Sequence, residues 1–425
     1  MQQSPPPHRG PIMIAPWRCS LGVIVWLVTA RGIAQDVSQR RVAPPDPYTA
    51  ENSKALDKAS YVGHGPFPFG TGHGTVQIEE LLGTEELCWL ETTHFRIGCA
   101  LSPLRLKGED DWVLRTRQEL KRLQAKLPRV KTDTKDLDPW LRAHLIALRV
   151  EEFYTEVLGI LGRRDDWFPA APLDRSSAAG GAAEFRGFGP YLGMPQKFTI
   201  LLVKKSGSHA RYTRAYQGCE IADPIRFHDA AFGSMYWGAS EETANGLFAD
   251  DLALHTHLIF NLAQNLYQGY RGFGHEIPAW LPTGLAHWHA RQVSPRFPTY
   301  DRRDVYDKDQ RSGFWAWETR VQGLMRNDAF ESLTSFLERP YAGEFGLEQH
   351  IQAWALVDFL MTTRKEATVR FLHAMKAPFH QGRFFPTRVE VLGRQQELLP
   401  RLLGGDATQL DAAWRAQVLG AKAKK

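Results

Sequence analysis

The segment from about residue 242 to 292 constrains the fold of this chain most. Leu247, Leu252, Leu254, Leu258, Ile259, Leu262 and Leu266 recur along one long helical stretch, 242–269, and such an apolar helix has to be covered by other protein. Pro278-Ala279-Trp280-Leu281 then opens a second helix running to about Gln292, since proline fits a first helical turn but not the interior. Upstream the pattern is mixed. His94 to Leu101 alternates as a strand, a charged helix spans about 110–127, and Asp138-Pro139 caps and starts a helix reaching about Leu161. Phe198 to Val203 reads as a buried strand, 233–238 as a short one, and the Ala/Gly/Pro-rich 169–193 as a long surface loop. Downstream, helices are expected over 346–362, 365–376, about 388–403 and 408–419. Few strands, many helices and no regular alternation of the two indicate α+β: a small sheet part, 87–240, then a mainly helical part, 241–420. Residues 35–86, with Pro44-Pro45-Asp46-Pro47 and Gly63 to Gly74, show no periodic core and read as a Pro/Gly-rich extended arm.

Composition bounds the function classes. With 43% hydrophobic and 23% charged residues among 425, the chain is neither a disordered polymer nor a polytopic membrane protein. Lys and Arg exceed Asp and Glu only as 52 to 47. Beyond the Lys422-Ala423-Lys424-Lys425 tail no basic block accompanies that surplus, so nucleic acid is not an expected partner. Arg9 and Arg18 precede an apolar run from Leu21 to Ala30, followed by the small residues Gly32 and Ala34. This is the layout of a secretory signal peptide, residues 1–34, cleaved near Ala34. The run is far shorter than the ~20 residues that span a bilayer, and no later segment is long and apolar enough. The mature chain is therefore expected to lack a transmembrane span and to be periplasmic or extracellular. Cys88, Cys99 and Cys219 remain; they permit one disulfide in an oxidising compartment, while the preferred account is three small buried residues. C-x-x-C and G-x-S-x-G are missing, and Gly187-Phe188-Gly189 is a lone glycine pair rather than a dinucleotide fingerprint.

The order of motifs resembles the peptidase-MA-like gluzincin metallopeptidases, a group with many exported bacterial members. The likeness covers roughly 90–420. It is carried by His94-Phe95-Arg96-Ile97, the strand Phe198 to Val203, the long helix, and Pro278-Ala279-Trp280-Leu281-Pro282-Thr283-Gly284-Leu285-Ala286-His287-Trp288. Gln352 to Leu360 and Gln409 to Arg415 resemble the closing helices of such domains. The resemblance implies H-E-x-x-H on the long helix and, about eighteen residues later, W-L-x-E-G-L-A-x-Y, whose Glu is the third zinc ligand. Two His four apart share a helix face and hold Zn²⁺, and the Glu between them activates water. Laid on residues 280–286, the second motif puts the third ligand at Thr283. Eighteen residues separate it from Gln264, so the first motif falls on Phe260-Asn261-Leu262-Ala263-Gln264. Every chemical position has changed: Phe260 has no donor atom, Asn261 is no base, and Gln264 and Thr283 are neutral and ligate zinc poorly. The neighbouring register, His257 to Asn261, keeps one His but lacks the base and a second strong ligand. The H-E dipeptide His275-Glu276 runs into Pro278 and has no His three residues on.

Five of the 15 histidines, namely His255, His257, His275, His287 and His289, crowd this region. Residues two apart on a helix point about 200° apart, so one ion can engage only one of His255 and His257, and one of His287 and His289. Candidate metal ligands are thus His257, His275 and His287, with core or surface histidines the preferred account. His257, Trp280, Thr283 and His287 are the candidate lining of a ligand groove between the two helices. The tryptophans Trp237, Trp280, Trp288, Trp315 and Trp317 suit a core better than a groove. The resemblance, with its chemical atoms replaced, implies an exported, non-catalytic pseudopeptidase that needs no cofactor. Its expected role is binding or structural, in contact with an envelope protein or peptide. The alternative is an active metal-dependent hydrolase with zinc in a rebuilt His site, and a third reading is an unrelated helical exported protein.

Overall fold

Asn52 starts the first regular element: its side chain accepts from the N–H of Lys54 and Ala55 and so caps α1 (Ser53–Ala59). Ser60 closes that helix in the left-handed conformation (φ 61°), and the chain turns into β1 (Tyr61–Gly63). A small hairpin, β2 (Pro68–Gly70) and β3 (His73–Gly74), leads into α2 (Thr75–Leu82). The computed structural model describes residues 43–50, 52–108, 110–173, 185–272, 274, 277–297, 299, 316–339, 342–378 and 386–420. The stretch read as an extended arm is therefore partly built into the body: Tyr61, Phe67, Phe69, Ile78 and Leu82 are buried. Its elements are too short for hydrophobic periodicity to register. Residues 1–34, read from the sequence as a signal peptide, lie outside the described residues.

The main sheet is assembled next. The chain runs through β4 (Cys88–Thr92), β5 (Phe95–Cys99), β6 (Leu104–Arg105), α3 (Asp111–Lys126), β7 (Asp136–Leu137) and α4 (Pro139–Leu161). It continues through β8 (Phe198–Val203), α5 (Ser206–Tyr216), β9 (Ile225–Asp229) and β10 (Ser234–Ser240). Six strands pair in the order β1-β4-β5-β8-β10-β9. The inner pairs β5/β8 and β8/β10 are parallel, and the outer pairs are antiparallel. Central β8 is buried at every residue, which explains its unbroken apolar run: both faces are covered. Phe198, Ile200 and Leu202 point into the main core with α4, whereas Leu201 and Val203 join a second cluster with Ile78, Leu82 and Tyr212 of α2 and α5. Cys88 and Cys99 are cross-strand neighbours and buried free thiols. Cys219 is also free but exposed, which corrects its reading as a buried residue.

The helical half follows: α6 (Thr243–Gly246), α7 (Asp251–Gly269), α8 (Trp280–Val293), α9 (Trp317–Arg326), α10 (Leu333–Phe336), α11 (Leu347–Thr363), α12 (Lys365–Met375), α13 (Arg388–Leu403) and α14 (Ala407–Gly420). The fold is thus α+β, as the sequence pattern indicates. The long helix expected over 242–269 is broken, however. Gly246 takes a left-handed φ of 84° and ends α6, and Asp250 restarts the chain by accepting from the N–H of Leu252 and Ala253. The loop read over 169–193 also departs from a surface course at its end, where Phe188 and Leu192 are buried. Trp237, Trp280 and Trp317 are core residues, Trp288 is half-buried, and Trp315 lies outside the described residues. No helix among the described residues is long and apolar enough to cross a membrane.

Helix α8 packs against both α7 and α11, and Gly284 permits the second contact. A Cβ there would stand 2.4 Å from the Ala353 carbonyl oxygen and 2.5 Å from Val357 Cγ2. Gly284→Ala should therefore lower stability by about 1–3 kcal/mol through overpacking, read as a lower urea midpoint at unchanged slope. Gly323→Ala is the control: it lies in α9 with open space around its Cα, and it should stabilise by about 0.4–1 kcal/mol.

Candidate functional site

The positions where the resemblance places zinc chemistry lie on α7 and α8, and each is engaged in the interior. Phe260 is fully buried with its ring centroid 4.7 Å from that of His287. Asn261 Nδ2 donates back to the His257 carbonyl one turn earlier (2.8 Å), a bond available to a short amide inside a helix. Gln264 Oε1 accepts from Arg226 Nη2 on β9 (2.7 Å), which ties α7 to the sheet edge. Thr283 is fully buried and its hydroxyl has no hydrogen-bond partner. Trp280 Nε1 donates to Gln395 Oε1 of α13 (2.8 Å), and Gln395 Nε2 donates on to the Leu337 carbonyl (3.0 Å).

The histidines are buried rather than displayed. His287 Nε2 lies 3.0 Å from His350 Nδ1 of α11, and its ring also meets the edge of Trp317. Burial, then the nearby His350 and Arg291, hold its pKa well below the ordinary imidazole value, so His287 is a neutral imidazole in the interior. His257 packs on Phe248, and burial depresses its pKa to about 3. His289 sits between the Tyr267 hydroxyl (3.0 Å) and Glu156 (3.1 Å), and burial still lowers it. His255 is pushed down by burial and then by the Arg149 charge. His275 and Glu276 lie outside the described residues. Among the described residues, no three His, Cys, Asp or Glu side chains are grouped to hold a metal ion.

His257, Trp280, Thr283 and His287 are each at most 1% exposed, so the α7–α8 contact is closed packing at these positions. A cleft opens at the start of α7 and the end of α8. It has a volume of 770 Å³ and is lined among others by Asp111, Trp112, Arg115, Leu252, Val293 and Arg296. There Arg115 Nη1 donates to the Val293 carbonyl (2.8 Å), satisfying an end group of α8 that has no partner within the helix.

Sequence reasoning missed the polar groups buried around α4. Arg149 bridges Glu119 of α3 and Asp251 of α7, with contacts of 2.7 Å to each. Asp46 accepts from Thr49 (2.6 Å) and lies 3.2 Å from His144 Nε2, whose Nδ1 is 3.0 Å from the Tyr61 hydroxyl. His94 Nδ1 lies 2.6 Å from Glu151 and Nε2 3.2 Å from Asp165, with the Tyr154 ring stacked at 3.7 Å. Their signal was present in the sequence: His144 and Arg149 stand among the apolar residues Leu141, Leu145, Leu148 and Val150 of α4. No family model matches the chain, and no curated protein sequence matches it.

Two outcomes follow from this geometry. Thr283→Val removes an unsatisfied buried hydroxyl and should stabilise the fold by about 1 kcal/mol, measured by urea unfolding. For His94, burial opposes the charged form, but the bonds to Asp165 and Glu151 outweigh it and raise the pKa to about 9. Its stabilising contribution is complete below the ordinary value of 6.5 and is lost as pH rises from there through about 9. The difference in unfolding free energy between wild type and His94→Gln should shrink over that window; a constant difference would refute the charged state.

Proposed function

We propose that this chain is an exported, non-catalytic relative of the gluzincin peptidases, serving as a binding or structural module of the cell envelope. One observation carries the reading. The four positions that need a base and three metal ligands hold Phe260, Asn261, Gln264 and Thr283, and the first three spend their side chains on packing or internal hydrogen bonds. Hydrolysis by a zinc-bound water requires anionic or imidazole ligands and a carboxylate base, and neutral amides and a phenyl ring supply neither. The residues that keep the resemblance have packing reasons to persist: Gly284 admits α11, and Trp280 anchors α13. The N-terminal pattern of Arg9, Arg18 and Leu21 to Ala30 supports export.

The purified protein should contain well below one equivalent of zinc and show no chelator-sensitive peptide cleavage. Stoichiometric zinc with such cleavage would favour the hydrolase with a rebuilt histidine site. The register itself is tested by restoring the motif. The variant Phe260→His/Asn261→Glu/Gln264→His/Thr283→Glu should gain a zinc-dependent rise in melting temperature that wild type lacks. A folded variant indifferent to zinc would sink the assignment of these four positions.

A further inference from the structure

We propose that the arginine-lined cleft between the end of α4, the loop after α7, α12 and α13 binds a small anionic amphiphile, a carboxylate or phosphate head on an aliphatic tail. This site is separate from the α7–α8 positions and does not depend on how they are read. The cleft has a volume of 480 Å³, within the range of small-molecule sites. Arg163, Arg271, Arg370 and Arg401 line it together with His373, and none of the described residues lining it is acidic. The rest of the wall is apolar: Phe185, Ala374, Ala377, Pro378, Leu398 and Leu402.

The cationic side is built, not incidental. Arg271 is 5% exposed and holds a left-handed backbone (φ 61°) that side chains other than glycine rarely adopt. Its N–H donates to the Leu192 carbonyl (2.7 Å). The loop that holds it comes so close that a Cβ on Gly193 would lie 2.6 Å from Arg271 Cα, and one on Gly187 3.1 Å. Backbone conformations of this kind persist where the surroundings over-determine them, and they gather at ligand sites. Arg271 Nη1 donates to the His373 carbonyl (3.1 Å), which fixes the guanidinium on α12. One indole carries several cations: the guanidinium carbons of Arg163, Arg271 and Arg186 lie 4.5, 5.2 and 5.7 Å from the Trp167 ring.

Four guanidiniums lining one cleft concentrate positive charge there, which attracts an anion. Glu366 and Glu397 pair with Arg370 and Arg401 from one turn away on the same helices, but all four side chains are more than half exposed. Such pairs are weak and exchange readily for a ligand. A guanidinium fork matches a carboxylate or phosphate in shape and charge. The apolar wall then has surface to offer only to a ligand with an aliphatic part.

Calorimetric titration of the full chain with decyl phosphate and decanoate, below their micelle concentrations, tests the site. Inorganic phosphate and decanol are the controls. Saturable binding of at least one amphiphilic anion is expected, ten-fold or more tighter than inorganic phosphate, with none for decanol. Arg370→Gln/Arg401→Gln should weaken it at least ten-fold without moving the melting temperature, and Arg163→Gln provides an independent second variant. Flotation with phosphatidylcholine vesicles, with and without phosphatidylglycerol, separates the sources. Retention on anionic vesicles that decyl phosphate abolishes assigns the head to a bilayer lipid, and its absence alongside calorimetric binding assigns it to a free amphiphile. The proposal is overturned if neither anion saturates, if decanol or inorganic phosphate binds as tightly, or if both arginine variants bind like wild type.

Discussion

A single guanidinium sets the geometry on which the helical half depends. Arg149 emerges from the middle of α4 and is clamped by Glu119 of α3 and Asp251 of α7, with these side chains 3%, 3% and 6% exposed. Taking such ions out of water costs several kcal/mol each, and only a fully bonded arrangement repays that. Arg149 achieves it with four N–H···O contacts of 2.7–3.1 Å. Burial raises the Asp251 pKa, but the Arg149 charge and hydrogen bond outweigh it and hold it at about 2. Arg149 and Asp251 are therefore both ionised over the whole physiological range. Its consequence is positional, because a slip of α7 along its axis would withdraw Asp251 and leave a buried cation short of a partner.

From that anchor the remaining contacts follow in sequence. Asp250, one residue earlier, caps α7, so the same two acidic residues start the helix and pin it. Along α7, Asn265 Nδ2 donates to the Tyr236 carbonyl of β10 (3.2 Å) and Gln264 receives Arg226 from β9. At its far end Lys376 Nζ donates to the carbonyls of Gln268 (2.9 Å), in the last turn of α7, and of Gly272 (2.8 Å), in the loop that follows. Helix α8 then lies against a surface already fixed to the sheet, and Gly284 lets α11 close over it.

How much of this was legible depends on length scale. The class, the buried central strand and most of the long helices follow from patterns of six residues or more, and Asp138-Pro139 marked the start of α4 because cap and proline act locally. The short strands β1, β3 and β9 show no such pattern and were not readable; β1 matters because it closes one edge of the sheet. The break at Gly246 escapes that pattern, although Gly246 and Asp250-Asp251 are a stop and a cap signal, because Leu247 and Leu252 read as one continuous helix face. Around the candidate site, sequence could name Phe260, Asn261, Gln264 and Thr283 but not their partners. Arg226, His350 and Gln395 are brought to this region from 38, 63 and 115 residues away. Arg149 stood out within α4, but its partners did not, since Glu119, Arg149 and Asp251 belong to three separate helices.

The distribution of charge separates two parts of the molecule that composition alone would merge. In the histidine-rich core, burial drives His255, His257, His287 and His289 toward the neutral form. A neutral, buried imidazole that already has a packing or hydrogen-bond partner must first be released before it can ligate or transfer a proton, and release exposes a cavity among Phe260, Trp317 and their neighbours. That cost opposes any ligand entering there. At the α12–α13 cleft the balance is reversed: guanidiniums stay charged at any accessible pH, two of the four are on exposed side chains, and an arriving anion meets positive charge without creating a void. The dense cluster of titratable residues is thus where binding is opposed, and the ligand-ready surface lies where the permanently charged side chains meet an apolar wall.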